Sequence, residues 1–268
     1  MSRPNLYIFD DPEIDQRRLL LQAELFRDYI RDHAADFVPA PPARILDLGC
    51  SIGQLTVALH EIYPQAELVG IDRNPESIAI ARQQPGLQNA SFVVGDIQEA
   101  LPPGPFDLIY ASTILSNIQD LARVVGLIHA ALAPGGTLWV KDTHPNLLEG
   151  VTQPDQKYLG EIFLNVMQRL GSHPYVGAEL PPLLTAAGFT IIRVEEDEVY
   201  PMGGATLEGE SLLADWIAGA RAARKMLQHV AGISEEEVLR RCEGLAAAAQ
   251  ASPEPIGVFR TINIIASE

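Results

Sequence analysis

Short apolar runs alternate with helical patterns along much of this chain, and the runs have the length of buried strands. The first three cover residues 44–48, 68–72 and 92–96, and the next two cover residues 106–112 and 132–142. The last of these begins as a helix end and a Pro-Gly-Gly turn. Such alternation predicts right-handed βαβ units and therefore an α/β fold with a parallel sheet.

Further elements flank this region. An apolar face predicts a helix at residues 12–36, and helices are also expected at 155–170 and 177–187. A sixth strand is expected at 189–194 and a final one at 257–265. Between these two strands lie roughly 50 residues with helical patterns, including a capping box that begins at a serine.

The elements together predict a Rossmann-like, seven-stranded and mostly parallel sheet with helices on both faces. We expect an N-terminal helical cap over residues 1–43 and a main domain built from 44–198 and 256–268. We expect residues 199–255 to form a helical insertion between strands six and seven. Because ordered insertions of this length are usually functional, we interpret it as a lid or substrate wall.

A glycine loop after the first strand carries the strongest chemical signal. Gly49 and Gly53 allow a close approach of the backbone to a ligand, and Asp47 precedes them. A carboxylate there would repel the pyrophosphate that such loops bind in dinucleotide enzymes. It suits a cationic nucleoside, and S-adenosylmethionine (SAM) carries an ammonium and a sulfonium but no phosphate. The loop therefore predicts SAM as the cofactor.

Two more acids end the next two predicted strands. Asp72 lies 19 residues after Gly53, where an acid can accept hydrogen bonds from ribose hydroxyls. Asp96 ends the third strand. Strand ends of a parallel sheet meet at one edge, so these acids are expected to border a common crevice.

In order and spacing, the elements over residues 44–145 resemble the signature motifs of the class I SAM-dependent methyltransferases, and most of the remaining chain resembles them more loosely. The resemblance extends to bacterial enzymes of this superfamily that act on small organic molecules. It implies SAM-dependent methyl transfer to O, N or C of a small molecule, such as a secondary metabolite or a quinone-like compound. S-Adenosylhomocysteine (SAH) would be the product.

The resemblance also implies roles for individual residues. Asp47 would orient the glycine loop or hold the methionine ammonium through water, and Asp72 would bind both ribose hydroxyls. Asp96 would accept from the adenine amino group while Ile97 packs on the ring, and Arg73 would lie beside the adenine, stacked or solvated. The other positions expected around the cofactor are Gly49, Cys50, Ser51, Gly53, Ala111 and Ser112. Ser51 stands where the family often has a third glycine, and the Cys50 thiol is expected to pack rather than to react.

Methyl transfer chiefly needs alignment of the reactants and exclusion of water. An oxygen acceptor can also need a base, for which His144, after the fifth strand, and His173, before the helix that leads to strand six, are candidates. Each also has an interpretation as a packing or loop residue. Asp142 could orient His144 or contact the substrate. Asn117 stands where related enzymes carry a histidine, and it is expected to cap a helix.

The amino-acid composition limits the classes of partner that the protein is expected to bind. Lys and Arg number 19 against 35 Asp and Glu, and the resulting charge of −16 opposes nucleic-acid binding. Cys50 and Cys242 show no metal-ligand spacing and fit a reduced cytoplasmic compartment. The sequence contains neither a signal core nor an apolar run of membrane length, so we expect no membrane association. From the charge and the cysteine spacing we expect no nucleic acid and no metal.

Other functions stay open at this level. One alternative is a protein or nucleic-acid methyltransferase, although the chain has no Asn-Pro-Pro-Tyr-type motif after strand four. A second is a protein that binds SAM without transferring methyl, because binding and transfer are separable. A nicotinamide oxidoreductase is disfavoured by Asp47. The sequence also leaves a homodimer open.

Overall fold

A computed structural model describes residues 12–146, 148–196, 200–203 and 207–268. Within these residues, no helix combines the length and the apolar character that crossing a membrane requires. Helix α1 (Pro12–Phe37) begins the described chain, in agreement with the predicted helix at 12–36.

A seven-stranded sheet follows α1. Its first five strands and the helices between them are β1 (Arg44–Leu48), α2 (Gln54–Ile62), β2 (Glu67–Asp72), α3 (Pro75–Ala81), β3 (Ser91–Val94), β4 (Phe106–Ser112), α4 (Leu121–Ala131) and β5 (Leu132–Thr143). Helix α6 (Val176–Ala186) leads to β6 (Thr190–Glu196), and β9 (Thr261–Ser267) closes the sheet. The strand order is β3-β2-β1-β4-β5-β9-β6.

Strands β3, β2, β1, β4 and β5 pair in parallel, whereas β6 and β9 pair antiparallel. This arrangement confirms the predicted seven-stranded, mostly parallel Rossmann-like sheet. The central strands are buried on both faces, which explains why they read as continuous apolar runs rather than as alternating ones.

The remaining elements are mostly helical. They are α5 (Pro154–Arg169), β7 (Tyr200–Met202), α7 (Leu207–Ala222), α8 (Arg224–Ala231), α9 (Glu235–Ala251) and β8 (Gly257–Phe259). Strands β7 and β8 form a separate two-stranded sheet. The final strand predicted at 257–265 is thus two strands, because the chain leaves this small sheet at Arg260 before it enters the large one.

The chain divides into two compact units. The sheet unit comprises residues 26–144, 175–196 and 262–268, and the helical unit comprises the described residues of 12–25, 145–174 and 200–261. Helix α5 therefore groups with the helices of the expected insertion, against which it packs. The functional division into cap, cofactor domain and lid stays a prediction.

Capping side chains mark the first residues of α3 and α4. The Asn74 side chain accepts from the backbone N–H groups of Glu76 and Ser77, with Pro75 at the first helical position of α3. For α4 the prediction was wrong. The cap is Asp120, while Asn117 lies in a 3₁₀ turn (Leu115–Asn117).

Candidate functional site

The three predicted acids lie in or just after neighbouring parallel strands of the sheet unit. Asp47 is the second-last residue of β1, Asp72 is the last residue of β2, and Asp96 lies two residues after the end of β3. In the register, Asp47 is level with Gly70 and Asp72 is level with Val94. The carboxyl ends of such strands are where open α/β sheets bind ligands.

The glycine loop turns sharply between β1 and α2. Gly49 and Gly53 have φ values of +69° and +80°, in the left-handed region that glycine adopts without strain. The backbone N–H groups of Gly49 and Cys50 both donate to the Ile71 carbonyl, at 2.8 and 3.1 Å. A Cβ on Gly49 would come within 2.7 Å of the Ile114 side chain, so the loop is closely packed as well as sharply bent.

Asp72 connects this loop to the start of α3, with one carboxylate oxygen bound to each. Oδ2 accepts from the Ser51 backbone N–H at 3.0 Å, and Oδ1 accepts from the Asn74 backbone N–H at 2.8 Å. Each oxygen keeps a lone pair for a further donor such as a hydroxyl. Ser51, which replaces the family's third glycine, has a φ of +47°. Burial raises the pKa of Asp72, and the bonds from Asn74 and Ser51 oppose that shift.

Asp47 is almost wholly buried, with an exposed fraction of 2%. Its Oδ2 accepts from the Thr56 hydroxyl at 2.6 Å, which ties β1 to the first turn of α2. Removal from water raises the pKa of Asp47 to about 7, and the charge of Asp72 acts in the same direction while the Thr56 bond opposes it. Such burial fits the predicted role through the loop or through water better than a direct salt bridge.

The predicted adenine residues differ in exposure. Half-buried Asp96 accepts from the Gln98 backbone N–H at 2.8 Å, in a turn that fixes its side chain. Ile97 is 5% exposed and belongs to the core of the sheet unit. Arg73 is exposed.

The end of β4 supplies an unsatisfied donor. Ala111 is fully buried between β1 and β5, level with Leu48 and Val140. The Ser112 hydroxyl is buried and has no hydrogen-bond partner among the residues that the structure describes. A buried hydroxyl without a partner is costly, so a polar ligand group at this edge would satisfy it. The acids, the left-handed glycines and this hydroxyl fit a cationic nucleoside such as SAM.

The Cys50 side chain is buried, and Gly70 leaves room for it, since a Cβ there would lie 2.8 Å from the Cys50 sulfur. Burial raises the pKa of the thiol, and the charges of Asp47 and Asp72 raise it further. These features agree with a packing role rather than with a reactive thiol.

The three candidate catalytic residues occupy different settings. Asp142 is fully buried at the end of β5, and it accepts from the backbone N–H groups of Leu115, Ser116 and Thr143 at 2.9, 3.2 and 2.8 Å. Burial raises its pKa, and these bonds oppose the shift. Asp142 therefore anchors the 3₁₀ turn, a task that spacing along the chain does not reveal.

His144 is 2% exposed, and its Nε2 lies 3.6 Å from Oε2 of Glu196, the last residue of β6. His173 is half-buried in the helical unit. The two histidines thus belong to different units. Sequence reasoning missed Glu196 and Thr56. A hydroxyl in the first turn after a glycine loop could have indicated Thr56, whereas the contact of His144 with Glu196 depends on sheet order.

Comparison with known proteins decides the family. A family model described as a methyltransferase domain matches residues 41–188, which is more than half of the chain. The chain belongs to the SAM-dependent methyltransferases. This result confirms the class I resemblance and the prediction of an enzyme. Among the described residues of this methyltransferase, no group of three or more His, Cys, Asp or Glu side chains is placed to hold a metal ion.

Two curated relatives of the methyltransferase cover most of its length. A trans-aconitate 2-methyltransferase from Methylobacterium nodulans is 30% identical over an alignment of 230 residues that covers 80% of this chain and 80% of that protein. Another from Deinococcus radiodurans is 38% identical over 199 residues, covering 70% of this chain and 73% of the relative.

A solved structure shares the fold of the methyltransferase. The plantazolicin methyltransferase BpumL, in complex with a monoazolic desmethylPZN analog and SAH, superposes with a TM-score of 0.57 at 16% identity. The match covers 96% of this chain and 88% of that one. At this identity the likeness supports the fold alone.

Proposed function

We propose that this methyltransferase transfers the methyl group of SAM to a carboxylate oxygen of a small organic acid that resembles trans-aconitate. The observation that carries the proposal is the similarity to two trans-aconitate 2-methyltransferases over most of both chains. A small organic acid replaces the secondary metabolite or quinone-like compound that the sequence led us to expect as the acceptor.

Acceptor recognition is assigned to the helical unit. The family model ends at residue 188, before most of this unit, whereas the match to the Methylobacterium relative spans 230 residues and therefore extends well beyond that model. A shared cofactor domain would not require similarity of that extent. Residues 199–255 would form the wall of the acceptor site.

The residues for the cofactor are those at the carboxyl edge of the sheet. Asp72 would bind the ribose hydroxyls with its free lone pairs, Asp96 the adenine amino group, and Ser112 a polar group of the methionine moiety. When bound, SAM supplies a methyl group on a positively charged sulfur, which an oxygen nucleophile can displace in line. Asp47 and Asp72 favour that positive charge over a phosphate, and the closely packed loop excludes water from one side of it.

An acid acceptor changes the need for a base. A carboxyl group is already ionised at neutral pH, so its oxygen can attack without giving up a proton. The methyl carbon gains the bond to that oxygen, the bond to sulfur breaks with its electron pair on sulfur, and a methyl ester results. His144 and His173 then have no proton to remove.

Replacing His144 with glutamine is therefore expected to leave the pH dependence of kcat for an acid acceptor unchanged. The ratio of variant to wild-type kcat should stay flat between about pH 6 and 8, the range in which histidine bases titrate. His173→Gln serves as the matched variant in the helical unit. A ratio that falls as pH rises through this range would identify the altered histidine as a base and would favour an alcohol or amine acceptor.

The proposed function is tested with SAM that carries a labelled methyl group. Wild-type enzyme should transfer label to trans-aconitate and form a base-labile ester. The trimethyl ester of the same acid has no free carboxylate and should accept no label. Transfer to a phenol or an amine, with none to organic acids, would contradict the proposal.

A further inference from the structure

Strand β6 forms one edge of the large sheet and is open to solvent along most of its length. The strand order ends at β6, and among the described residues this strand pairs only with β9. Ile192 is 61% exposed and Val194 is 46% exposed, so the middle of the strand is largely uncovered. Such an edge presents backbone N–H and C=O groups that a strand of another chain can bind.

The opposite edge of the sheet, β3, is protected in a way that β6 is not. β3 has only four residues, and a short edge strand offers little backbone for pairing with another chain. Its sequence, Ser-Phe-Val-Val, also carries no charge that could set a register. β6 has seven residues, and charges of both signs lie along it at Arg193, Glu195 and Glu196.

A bulge limits the part of β6 that can pair regularly. The register with β9 shifts between Ile191 and Arg193, whereas the residues from Arg193 to Glu196 pair with consecutive residues of β9. Bulges and charged side chains both discourage pairing between sheet edges. On β6, however, the charges have opposite signs, and opposite charges on facing strands attract. The regular stretch Arg193–Glu196 is therefore the part of the edge that can bind another strand.

Two of these charges share one face of the strand. Arg193 and Glu195 are two residues apart, and Nη1 of the arginine lies 3.2 Å from Oε1 of the glutamate. The Arg193 guanidinium carbon lies 5.5 Å from the centroid of the Phe37 ring in α1, which keeps the charge over this face. The two side chains are 44% and 41% exposed, and an exposed ion pair stabilises one chain only weakly. Both charges can therefore pair with another chain at little cost.

The order of the charges is self-complementary about Val194. When two copies of β6 pair antiparallel with Val194 opposite Val194, Arg193 of each copy lies opposite Glu195 of the other. A shift by two residues in either direction places Arg193 opposite Arg193 or Glu195 opposite Glu195. Because like charges directly opposite each other are unfavourable, the charges select the register that is centred on Val194.

We propose that the β6 edge binds β6 of a second copy of this chain, with Val194 on the two-fold axis, so that the two large sheets become continuous. A two-fold axis brings the same surface of both copies together, as the self-complementary charges require. The paired stretch is short, and the charge of −16 on each copy opposes association, so the dimer dissociates on dilution. This inference does not depend on which acceptor is methylated.

Charge reversal on β6 tests the interface. Sedimentation velocity between about 1 µM and about 300 µM should show wild-type protein changing from monomer to dimer. Arg193→Glu and Glu195→Arg should each weaken association by about tenfold or more, because side chains of one sign then face each other across the axis. Arg31→Glu is the matched control and should leave association as in wild type. Arg31 is an exposed arginine of α1 in the same unit, and its reversal changes the net charge as Arg193→Glu does.

Mixing the two reversed variants distinguishes pairing between chains from pairing within one chain. In each variant, positions 193 and 195 carry charges of one sign, so neither chain regains its internal ion pair. In a mixed dimer each of these positions faces the opposite sign, and the mixture should associate about tenfold more tightly than either variant alone. The double variant Arg193→Glu/Glu195→Arg should associate like wild type, which guards against misfolding as the cause of a loss.

Three results would each overturn the inference. The first is a wild-type protein that stays monomeric over the whole concentration range. The second is a dimer that Arg193→Glu weakens no more than Arg31→Glu does. The third is a mixture of the reversed variants that associates no more tightly than either variant alone. Since SAM binding and methyl transfer are measured separately, none of these results would bear on the proposed function.

Discussion

Asp72→Ala is expected to weaken SAM binding about a hundredfold. Each hydroxyl bonded to a charged acceptor contributes about 1.5–3 kcal/mol, and a hundredfold in Kd corresponds to about 2.8 kcal/mol. The change also removes the acceptor of the Ser51 and Asn74 backbone N–H groups, so the loop loses its anchor together with the ribose contact. Calorimetric titration with SAM and with SAH measures the effect directly.

The matched control is Asp107→Ala. Asp107 also accepts from two backbone N–H groups, those of Ala43 and Arg44, but it does so at the amino end of the sheet, where β1 begins. This variant should lose stability of the same kind without losing SAM affinity. If both variants bound SAM like wild type, or if both weakened it equally, the assignment of Asp72 to the ribose would be wrong.

The affinity for SAM is expected to rise with pH until about pH 7. The pKa of Asp47 is raised to about 7 by burial, so at lower pH the free enzyme holds a proton that a cationic ligand must displace. Well below that pKa, each pH unit should change Kd about tenfold if one proton is released on binding. Titrations between about pH 5 and 7 keep the amino group of SAM largely protonated, because a free α-amino group has a pKa of about 7.7–8.0.

The free energy of unfolding of the free enzyme should change in the opposite direction and fall as pH rises. The folded pKa of Asp47 lies above the unfolded value of about 3.9, so the folded state holds more protons between these limits. Its contribution is present at low pH and is lost as pH rises through about 7. Thermal unfolding with and without SAM separates the two trends.

Two variants isolate Asp47 from the other acids. Asp47→Asn should bind SAM weakly with little pH dependence below neutrality, while Thr56→Val should move the midpoint upward, because it removes the hydrogen bond that lowers the Asp47 pKa. Proton release is counted by calorimetry in two buffers of different ionisation enthalpy. A wild-type Kd that is constant from pH 5 to 7 would contradict a role of this carboxylate in cofactor binding.

Sequence patterns predicted the elements whose signals lie within a short stretch of the chain. The strand at 106–112 matches β4, and the start of α3 follows from Asn74 and Pro75. Each depends on burial or on capping by neighbours in the chain, and these are properties that a short window of sequence contains. The shared edge of the three acid-bearing strands was likewise predictable, because the carboxyl ends of strands in a parallel sheet meet at one edge.

Features that depend on distant contacts were not predictable in the same way. Asp142 is predicted to orient His144 or to contact the substrate, and that role stays a prediction. The bonds that its oxygens accept from the turn at Leu115 and Ser116 could not be predicted, because pairing of β4 with β5 brings this turn close. Asn117 has the side chain of a helix cap but lies in that turn, so Asp120 caps α4 instead. The break of the last predicted strand at Arg260 reflects a transfer between two sheets, which no local pattern encodes.

The position of β9 between β5 and β6 has a consequence for biosynthesis. Both neighbours precede β9 in the chain, so each emerges from the ribosome with one row of backbone amides and carbonyls still open. Strand β9 can pair with β5 and β6 only after the helical segments that precede it have been translated. Until then the sheet of the nascent enzyme is incomplete, and its two open strand edges can pair with other chains. Chaperones would protect the enzyme most at this stage.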